Sequence, residues 1–135
     1  MNPNGQLLSQ LTPAGVRTIT FGHPAHNSFP TQQLQALSAA LDSASQDDET
    51  RSILLRSTGE RTFCAGANID ELLAITDNAS GQEFFMGFAN LLLAMRRCTK
   101  PIVVAVQGKA ICGVVGIAPG AGYILSSIIL LPCPR

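Results

Sequence analysis

Arg61-Thr62-Phe63-Cys64-Ala65-Gly66-Ala67-Asn68-Ile69-Asp70 is the stretch around which the other predicted elements can be arranged. It follows a strand-like run, Ser52–Ser57, and leads into an apolar segment, residues 69–75, that predicts the start of a helix. Its Ala-Gly-Ala centre has no side-chain bulk, so a ligand can approach the backbone closely. The first N–H groups of a helix also lack partners within the helix. The stretch therefore predicts a site that polarises a carbonyl oxygen, and the alternative is a turn that serves only tight packing.

The composition is that of a globular chain with few charges. Of the 135 residues, 46% are hydrophobic and 13% are charged, and the formal net charge is zero. The one adjacent basic pair, Arg96-Arg97, lies near a predicted helix end, where cations suit the helix dipole, so we expect no nucleic-acid partner. Residues 1–10 are polar without a basic segment, and the four cysteines are scattered without zinc-type spacing. We therefore expect a reduced, cytoplasmic protein with free thiols and no bound metal.

Alternating apolar runs and turn residues predict an α/β domain. Residues 7–11 and 16–21 flank Thr12-Pro13-Ala14-Gly15, an order that favours a hairpin. Residues 32–45 carry apolar side chains at helical spacing, and Ile102–Val106 is a charge-free, β-branched run. Strand, helix and strand across residues 52–106 would form a βαβ unit with parallel strands.

The helix of that unit is predicted to begin with a capping box. Ser80-Gly81-Gln82-Glu83 has the required serine followed three residues later by glutamate. Behind it, one buried helical face is expected from Phe84, Phe85, Phe88, Leu91, Leu92 and Met95. The helix should end at Lys100-Pro101, because a residue before proline avoids the helical region.

A second turn of small residues, 107–113, follows Ile102–Val106. Both small-residue turns would lie at the carboxyl ends of parallel strands, where open α/β sheets bind ligands. Two such turns facing one crevice could supply two amides to one oxygen. Beyond them, residues 111–134 carry no charge, which favours a buried helix followed by a buried strand. A membrane helix is the alternative, and it is disfavoured because Pro119, Gly120 and Gly122 interrupt the segment.

For the other reactive side chains, a structural role is the alternative to a functional one. His23 and His26 could bind a metal, but the intervening proline prevents a shared helical face, and a solvated loop is preferred. Cys64 could be a nucleophile if a histidine lay nearby and its pKa were lowered, and a packed thiol is the alternative. Asp70 and Glu71 stand at a helix start, where the dipole alone accounts for acidic residues.

Three motifs resemble the crotonase (enoyl-CoA hydratase/isomerase) superfamily. Residues 63–69 look like its F-x-A-G-A-D-[IL] segment, and residues 23–29 resemble an earlier loop of that superfamily. Residues 100–110 resemble its K-P-[VI]-[IV]-A-x-[VI]-x-G-x-[AC] segment. The resemblance implies an α/β fold built as a crotonase-like spiral of ββα turns, here incomplete. Residues 1–127 would form its N-terminal part and residues 128–135 a divergent apolar tail.

The resemblance also implies a chemistry. Superfamily members act on acyl-CoA thioesters, and two backbone amides form an oxyanion hole that stabilises a thioester enolate. Carried onto this sequence, these amides belong to Ala67 and Gly113, and substrate contacts would come from Ala65, Gly66, Asn68 and Ile69. The expected activity is of the enoyl-CoA hydratase or isomerase type, with no cofactor apart from the CoA of the substrate. A homo-oligomer, either trimer or hexamer, is expected, without a membrane partner.

Four departures from the superfamily pattern bear on activity. Gly116 aligns with the catalytic glutamate of hydratases, and Cys112-Gly113-Val114 replaces a Gly-Gly-Gly turn. Asn68 replaces the commoner aspartate, and Gly122 stands where aspartate is common. Superfamily chains are also longer, so we expect a truncated or altered product that lacks hydratase activity. The alternative function is a catalytically inactive fragment that serves as a structural or partner-bound subunit.

Overall fold

Short apolar runs between glycine and proline form the strands, and longer amphipathic segments form the helices. The computed structural model describes residues 2–110 and 122–126. In chain order, the elements are β1 (Gln6–Leu11), β2 (Val16–Gly22), α1 (Thr31–Gln46), β3 (Ser52–Ser57), β4 (Thr62–Cys64), α2 (Ile69–Leu73), α3 (Asn78–Arg97), β5 (Ile102–Val106), β6 (Lys109–Ala110) and β7 (Tyr123–Ser126). The predicted hairpin, the first helix and the two central strands are confirmed. The short strands β4 and β6 were not predicted.

The main sheet has five strands in the order β1-β2-β3-β5-β7. β1 is antiparallel to β2, and the other neighbours are parallel, so the predicted parallel pairing of β3 with β5 is confirmed. A second, two-stranded sheet pairs β4 with β6, with Cys64 opposite Ala110. The carboxyl ends of β2, β3 and β5 therefore meet at one edge of the main sheet, as expected for an open α/β arrangement.

Helix α1 packs against α3 and against the hairpin strands β1 and β2. Its buried face carries Leu34, Leu37 and Leu41, which are at most 1% exposed. The two helices approach closely at Gly87, where a Cβ atom would lie 3.0 Å from a methyl carbon of Leu34. The core that they cover also contains side chains from β2, β3, β4 and β5.

Helix α3 begins earlier than predicted. Asp77 is its N-cap, and the carboxylate accepts a hydrogen bond of 2.7 Å from the backbone N–H of Ser80. Ser80 is the third helical residue, so the capping box predicted at residues 80–83 is wrong. The carboxylate of Asp77 is a charged acceptor at the positive end of the helix, which favours it as the cap. The helix ends at Arg97, ahead of Pro101.

The apolar face of α3 is narrower than predicted. Phe84, Leu91 and Met95 are buried, and Phe88 and Leu92 pack partly against the core. Phe85 is 63% exposed, so its predicted place in the core is wrong. One residue further along a helix turns the side chain by about 100°, which takes Phe85 off the stripe that Phe84 begins.

The C-terminal segment is described only in part. The strand expected there is β7, which pairs in parallel with β5. It is not buried as predicted, because Ile124 is 40% exposed and Leu125 is 63% exposed. The predicted helix of the segment and the apolar tail, residues 128–135, lie outside the described residues. Among residues 2–110 and 122–126, none of the helices is both long and apolar enough to cross a membrane.

The contact between β4 and β6 depends on Gly108. A Cβ atom there would lie 2.5 Å from the carbonyl carbon and oxygen of Arg61, which are backbone atoms that cannot rotate away. We therefore expect Gly108→Ala to lower the free energy of unfolding by about 1–3 kcal/mol. Gly81 in α3 is the control, because a Cβ atom there would meet only Ile75, at 3.4 Å. Gly81→Ala should raise the free energy of unfolding by about 0.5–1 kcal/mol. Urea denaturation measures both, and effects of the same sign would contradict this account.

Candidate active site

The turn between β4 and α2 has a backbone conformation that glycine makes possible. Gly66 has a φ of +97°, where residues with a Cβ atom are strained. Its N–H donates to the sulfur of Cys64 at 3.3 Å, and its carbonyl accepts from the N–H of Phe29 at 2.8 Å. The side chain of Asn68 then caps α2 by accepting from the N–H of Glu71 at 3.1 Å. Every bond in this turn thus serves to fix the backbone on either side of Ala67.

The backbone amide of Ala67 differs from those of its neighbours in the turn, because it has no partner among the described residues. The N–H groups of Ala65 and Asn68 donate to the carbonyls of His26 and Phe29, at 3.1 and 3.4 Å. Within the part of the chain that the structure describes, the N–H of Ala67 has no hydrogen-bond partner. Ala67 forms a parallel bridge with Phe29, whose bonds run to the residues before and after Ala67. The N–H of Ala67 therefore points away from Phe29.

The aromatic core holds Phe29, the bridge partner of Ala67, in place. Phe29 is fully buried, and its ring centroid lies 4.7 Å from that of Phe21 and 6.3 Å from that of Phe88. Phe21 in turn meets Phe63 of β4 edge-on, at 5.4 Å. Because Phe29 makes both backbone bonds to the turn, this packing also fixes the turn that presents Ala67.

The side chain of Asn27 ties the loop after β2 to Thr58 and Thr62, which flank the connection from β3 to β4. Its carbonyl oxygen accepts from the N–H of His23 at 3.0 Å and from the hydroxyl of Thr58 at 3.2 Å. Its amide donates to the carbonyls of Thr58 and Thr62, at 2.8 and 2.9 Å. Asn27 is 5% exposed and has a φ of +57°, a conformation that asparagine tolerates better than most residues. Four bonds from one buried side chain therefore position the loop that carries Phe29.

The two histidines of this loop differ. His26 is exposed, as the prediction of a solvated loop requires, whereas His23 is buried at 8% exposure, so that prediction is wrong for His23. The Nδ1 atom of His23 accepts from the N–H of Ala25 at 3.0 Å and lies 3.3 Å from the hydroxyl oxygen of Ser28. A neutral ring that accepts at Nδ1 carries its proton on Nε2. Among the described residues, no group of three His, Cys, Asp or Glu side chains could hold a metal ion.

Cys64 is a packed thiol rather than an activated nucleophile. Its side chain is fully buried in the core, and burial raises the pKa of the thiol to about 12. The hydrogen bond from the N–H of Gly66 opposes that rise but is the smaller effect. A thiol with such a pKa is almost entirely protonated at neutral pH, and the thiolate is the reactive form.

Comparison with known proteins identifies the family. The model of the enoyl-CoA hydratase/isomerase family matches residues 12–127. This chain belongs to the enoyl-CoA hydratase/isomerase family. It is 31% identical over 113 residues to a (7aS)-7a-methyl-1,5-dioxo-2,3,5,6,7,7a-hexahydro-1H-indene-carboxyl-CoA hydrolase of Rhodococcus jostii, an alignment that covers 84% of this chain and 43% of the hydrolase. It is 34% identical over 101 residues to enoyl-CoA hydratase EchA19 of Mycobacterium tuberculosis, covering 70% of this chain and 36% of that protein.

The fold agrees with the family. The crystal structure of an enoyl-CoA hydratase/isomerase (crotonase) from Legionella pneumophila superposes with a TM-score of 0.81 at 28% identity. The superposition covers 90% of this chain and 48% of the Legionella chain. The predicted crotonase-like α/β fold is thereby confirmed. The chain spans less than half the length of these three relatives.

The residues predicted for the enoyl-CoA hydratase/isomerase site lie in different environments. Ala65 and Ala67 are partly exposed, whereas Gly66 and Asn68 are buried and hold the turn. The remaining predicted contact, Ile69, is 67% exposed at the start of α2. The second predicted amide, that of Gly113, lies outside the described residues, as does Gly116. Ala67 and its immediate neighbours are therefore brought together in one turn, and their contact with a substrate stays a prediction.

Two residues that matter for this site were not recognised as such from the sequence. Asn27 lies within residues 23–29, which resemble a loop of the superfamily, but its four bonds join segments that are distant along the chain. The interpretation of Glu71 as a dipole effect of α2 alone is wrong. Its carboxylate accepts from the N–H and the hydroxyl of Thr31, at 2.8 and 2.7 Å, and so caps α1 from another element. One sequence signal could have indicated this role: α1 begins after Pro30 and has no capping side chain of its own, so it needs an acceptor from another element.

Proposed function

We propose that this chain binds acyl-CoA thioesters at the turn between β4 and α2, with the thioester oxygen accepting a hydrogen bond from the N–H of Ala67. The observation that carries the proposal is the amide of Ala67, which points away from the bridge to Phe29 and has no partner within residues 2–110 and 122–126. A backbone N–H held on both sides by hydrogen bonds needs no reorganisation when charge develops on an oxygen. Removal of one such donor typically costs a factor of about 10²–10³ in rate.

The second donor in this proposal is the N–H of Gly113. Cys64 of β4 and Ala110 of β6 are register partners in a parallel pair. Ala67 is three residues beyond Cys64, and Gly113 is three residues beyond Ala110. Because the two strands are parallel, β4 and β6 end on the same side of the small sheet. This register supports the pairing of Ala67 with Gly113 at one oxygen.

The family supports the substrate class, and the chain's own residues limit the reaction. Amides stabilise a thioester enolate, but hydration also needs groups that direct water and deliver a proton. Gly116 aligns with the glutamate that serves hydratases, and it has no side chain to do so. Of the two carboxylates next to the turn, that of Glu71 is engaged by Thr31. We therefore infer enolate stabilisation without efficient hydration by these 135 residues.

Hydrogen exchange tests the first part of the proposal. Saturating butyryl-CoA, a saturated thioester that cannot be hydrated, should slow exchange of the Ala67 amide by at least about tenfold, because the amide gains an acceptor. The Gly113 amide should be protected likewise. Ala65 is the internal control, since its N–H already donates to the carbonyl of His26. Two-dimensional NMR resolves these amides, and unchanged exchange at Ala67 with bound ligand would refute the oxyanion role.

A hydration assay tests the second part. We expect no turnover of crotonyl-CoA, followed by loss of its conjugated absorbance, at the roughly 1–10³ per second of ordinary enzymes. Gly116→Glu alone should not restore turnover, because a second acid–base group is still required. An enzymatic rate in the unmodified chain would show that the alignment at Gly116 is wrong.

A second candidate function is that of a partner-bound structural subunit. The observation that favours it is the set of exposed apolar side chains on α2, α3 and β7: Ile69, Leu73, Phe85, Met86, Leu93 and Leu125. Large exposed apolar patches typically mark interaction surfaces. Under this alternative, light scattering across a dilution series should show self-association or aggregation. A stable monomer that binds no hydrophobic dye would exclude it.

A further inference from the structure

Helix α1 lacks an N-terminal cap of its own. Its N-cap residue is Pro30, which has no side-chain donor or acceptor, and its first turn contains no acidic residue. The first N–H groups of a helix need acceptors from elsewhere, and a carboxylate at that end is further stabilised by the helix dipole. The residues next to Thr31 in the sequence therefore supply no side-chain acceptor for its backbone N–H.

Glu71 of α2 meets this requirement. One oxygen of its carboxylate, Oε2, accepts from the backbone N–H of Thr31 at 2.8 Å and from the hydroxyl of Thr31 at 2.7 Å. Hydrogen bonds to an ionised acceptor are roughly twice as strong as neutral ones. The contact links residues that are 40 positions apart in the chain.

Helix α2 has few other connections to the body of the domain. It has five residues, and none of them is buried. Besides the Glu71–Thr31 contact, the side-chain bond that joins its N-terminal end to another described segment is that of Asn68, whose amide donates to the hydroxyl of Ser28 at 3.2 Å. Packing alone does not fix a helix whose side chains are exposed, so its position depends strongly on these polar contacts.

We propose that Glu71 is a positioning residue, which holds α2 against the N-terminus of α1 and thereby fixes the amide of Ala67 toward an acyl-CoA carbonyl. This inference rests on the proposed function of Ala67. Ala67 precedes the first residue of α2 by only one position, that of the cap Asn68. When the Glu71–Thr31 contact is lost, α2 keeps only its anchorage through Asn68, and the Ala67 amide is held less tightly, by the backbone bonds to Phe29.

The test compares Glu71→Ala, Glu71→Gln and Thr31→Val with the control Glu83→Ala, which removes an exposed carboxylate from α3. In ligand-free protein, Glu71→Ala should speed exchange of the amides of Leu72 in α2 and of its C-cap residue Ala74 by about fivefold or more, the usual effect of losing a cap. Glu71→Gln keeps an acceptor oxygen without its charge, so its effect should be intermediate. Thr31→Val loses only the hydroxyl, so its effect should also be smaller than that of Glu71→Ala.

Binding of butyryl-CoA, measured by calorimetry, gives the second readout. Glu71→Ala should raise the Kd by about fivefold or more, whereas Glu83→Ala should leave it within about twofold. Effects of Glu71→Ala and Thr31→Val should be non-additive in the double variant, because both remove one contact. If Glu71→Ala prevents folding, Glu71→Gln and Thr31→Val are compared with Glu83→Ala in the same two measurements.

The outcomes separate this inference from the proposed function. If the wild-type chain does not bind butyryl-CoA, the proposed function fails, and so does a role for Glu71 in ligand binding. Unchanged α2 exchange in Glu71→Ala would overturn the idea that the contact holds α2. Faster exchange with an unchanged Kd, in a chain that binds butyryl-CoA, would overturn the positioning role while leaving the proposed function intact.

Discussion

The side chain of Asn27 makes the interaction on which the rest of the site depends. Its four hydrogen bonds join the loop after β2 to residues on both sides of the connection from β3 to β4. A buried amide with all of its strong bonds satisfied is stabilising, whereas the same partners left without it would each be costly. The left-handed conformation at Asn27 turns the chain so that Phe29, two residues later, enters the aromatic core.

Phe29 in turn fixes the backbone of the small-residue turn between β4 and α2. The backbone of Phe29 bonds to Gly66 and Asn68, and this bridge directs the N–H of Ala67 to the opposite side. A second constraint acts from the other direction, since Glu71 fastens α2 to the start of α1. The domain thus separates the groups that hold the backbone from the backbone group proposed to bind substrate.

Sequence reasoning succeeded for the two central strands, which are determined locally, although it misplaced the N-terminal cap of α3. β3 and β5 are short apolar runs between turn residues, and both were predicted with the bounds that the structure gives. It failed where the stabilising partner is distant along the chain. β4 has three residues and is held by pairing with the two residues of β6. The roles of Asn27 and Glu71 likewise arise from partners about 30 to 40 positions away, and local propensity carries no trace of them.

The stability of Asn27→Gly relative to His26→Gly tests the central claim most directly. Both residues have positive φ, at +57° and +53°, so glycine relieves the same backbone strain at each position. His26 is exposed and its side chain makes no hydrogen bond within the described residues, whereas Asn27 makes four. We expect Asn27→Gly to lower the free energy of unfolding in urea by roughly 2–4 kcal/mol, and His26→Gly to change it by less than about 1 kcal/mol. Equal stability of the two variants would contradict the account.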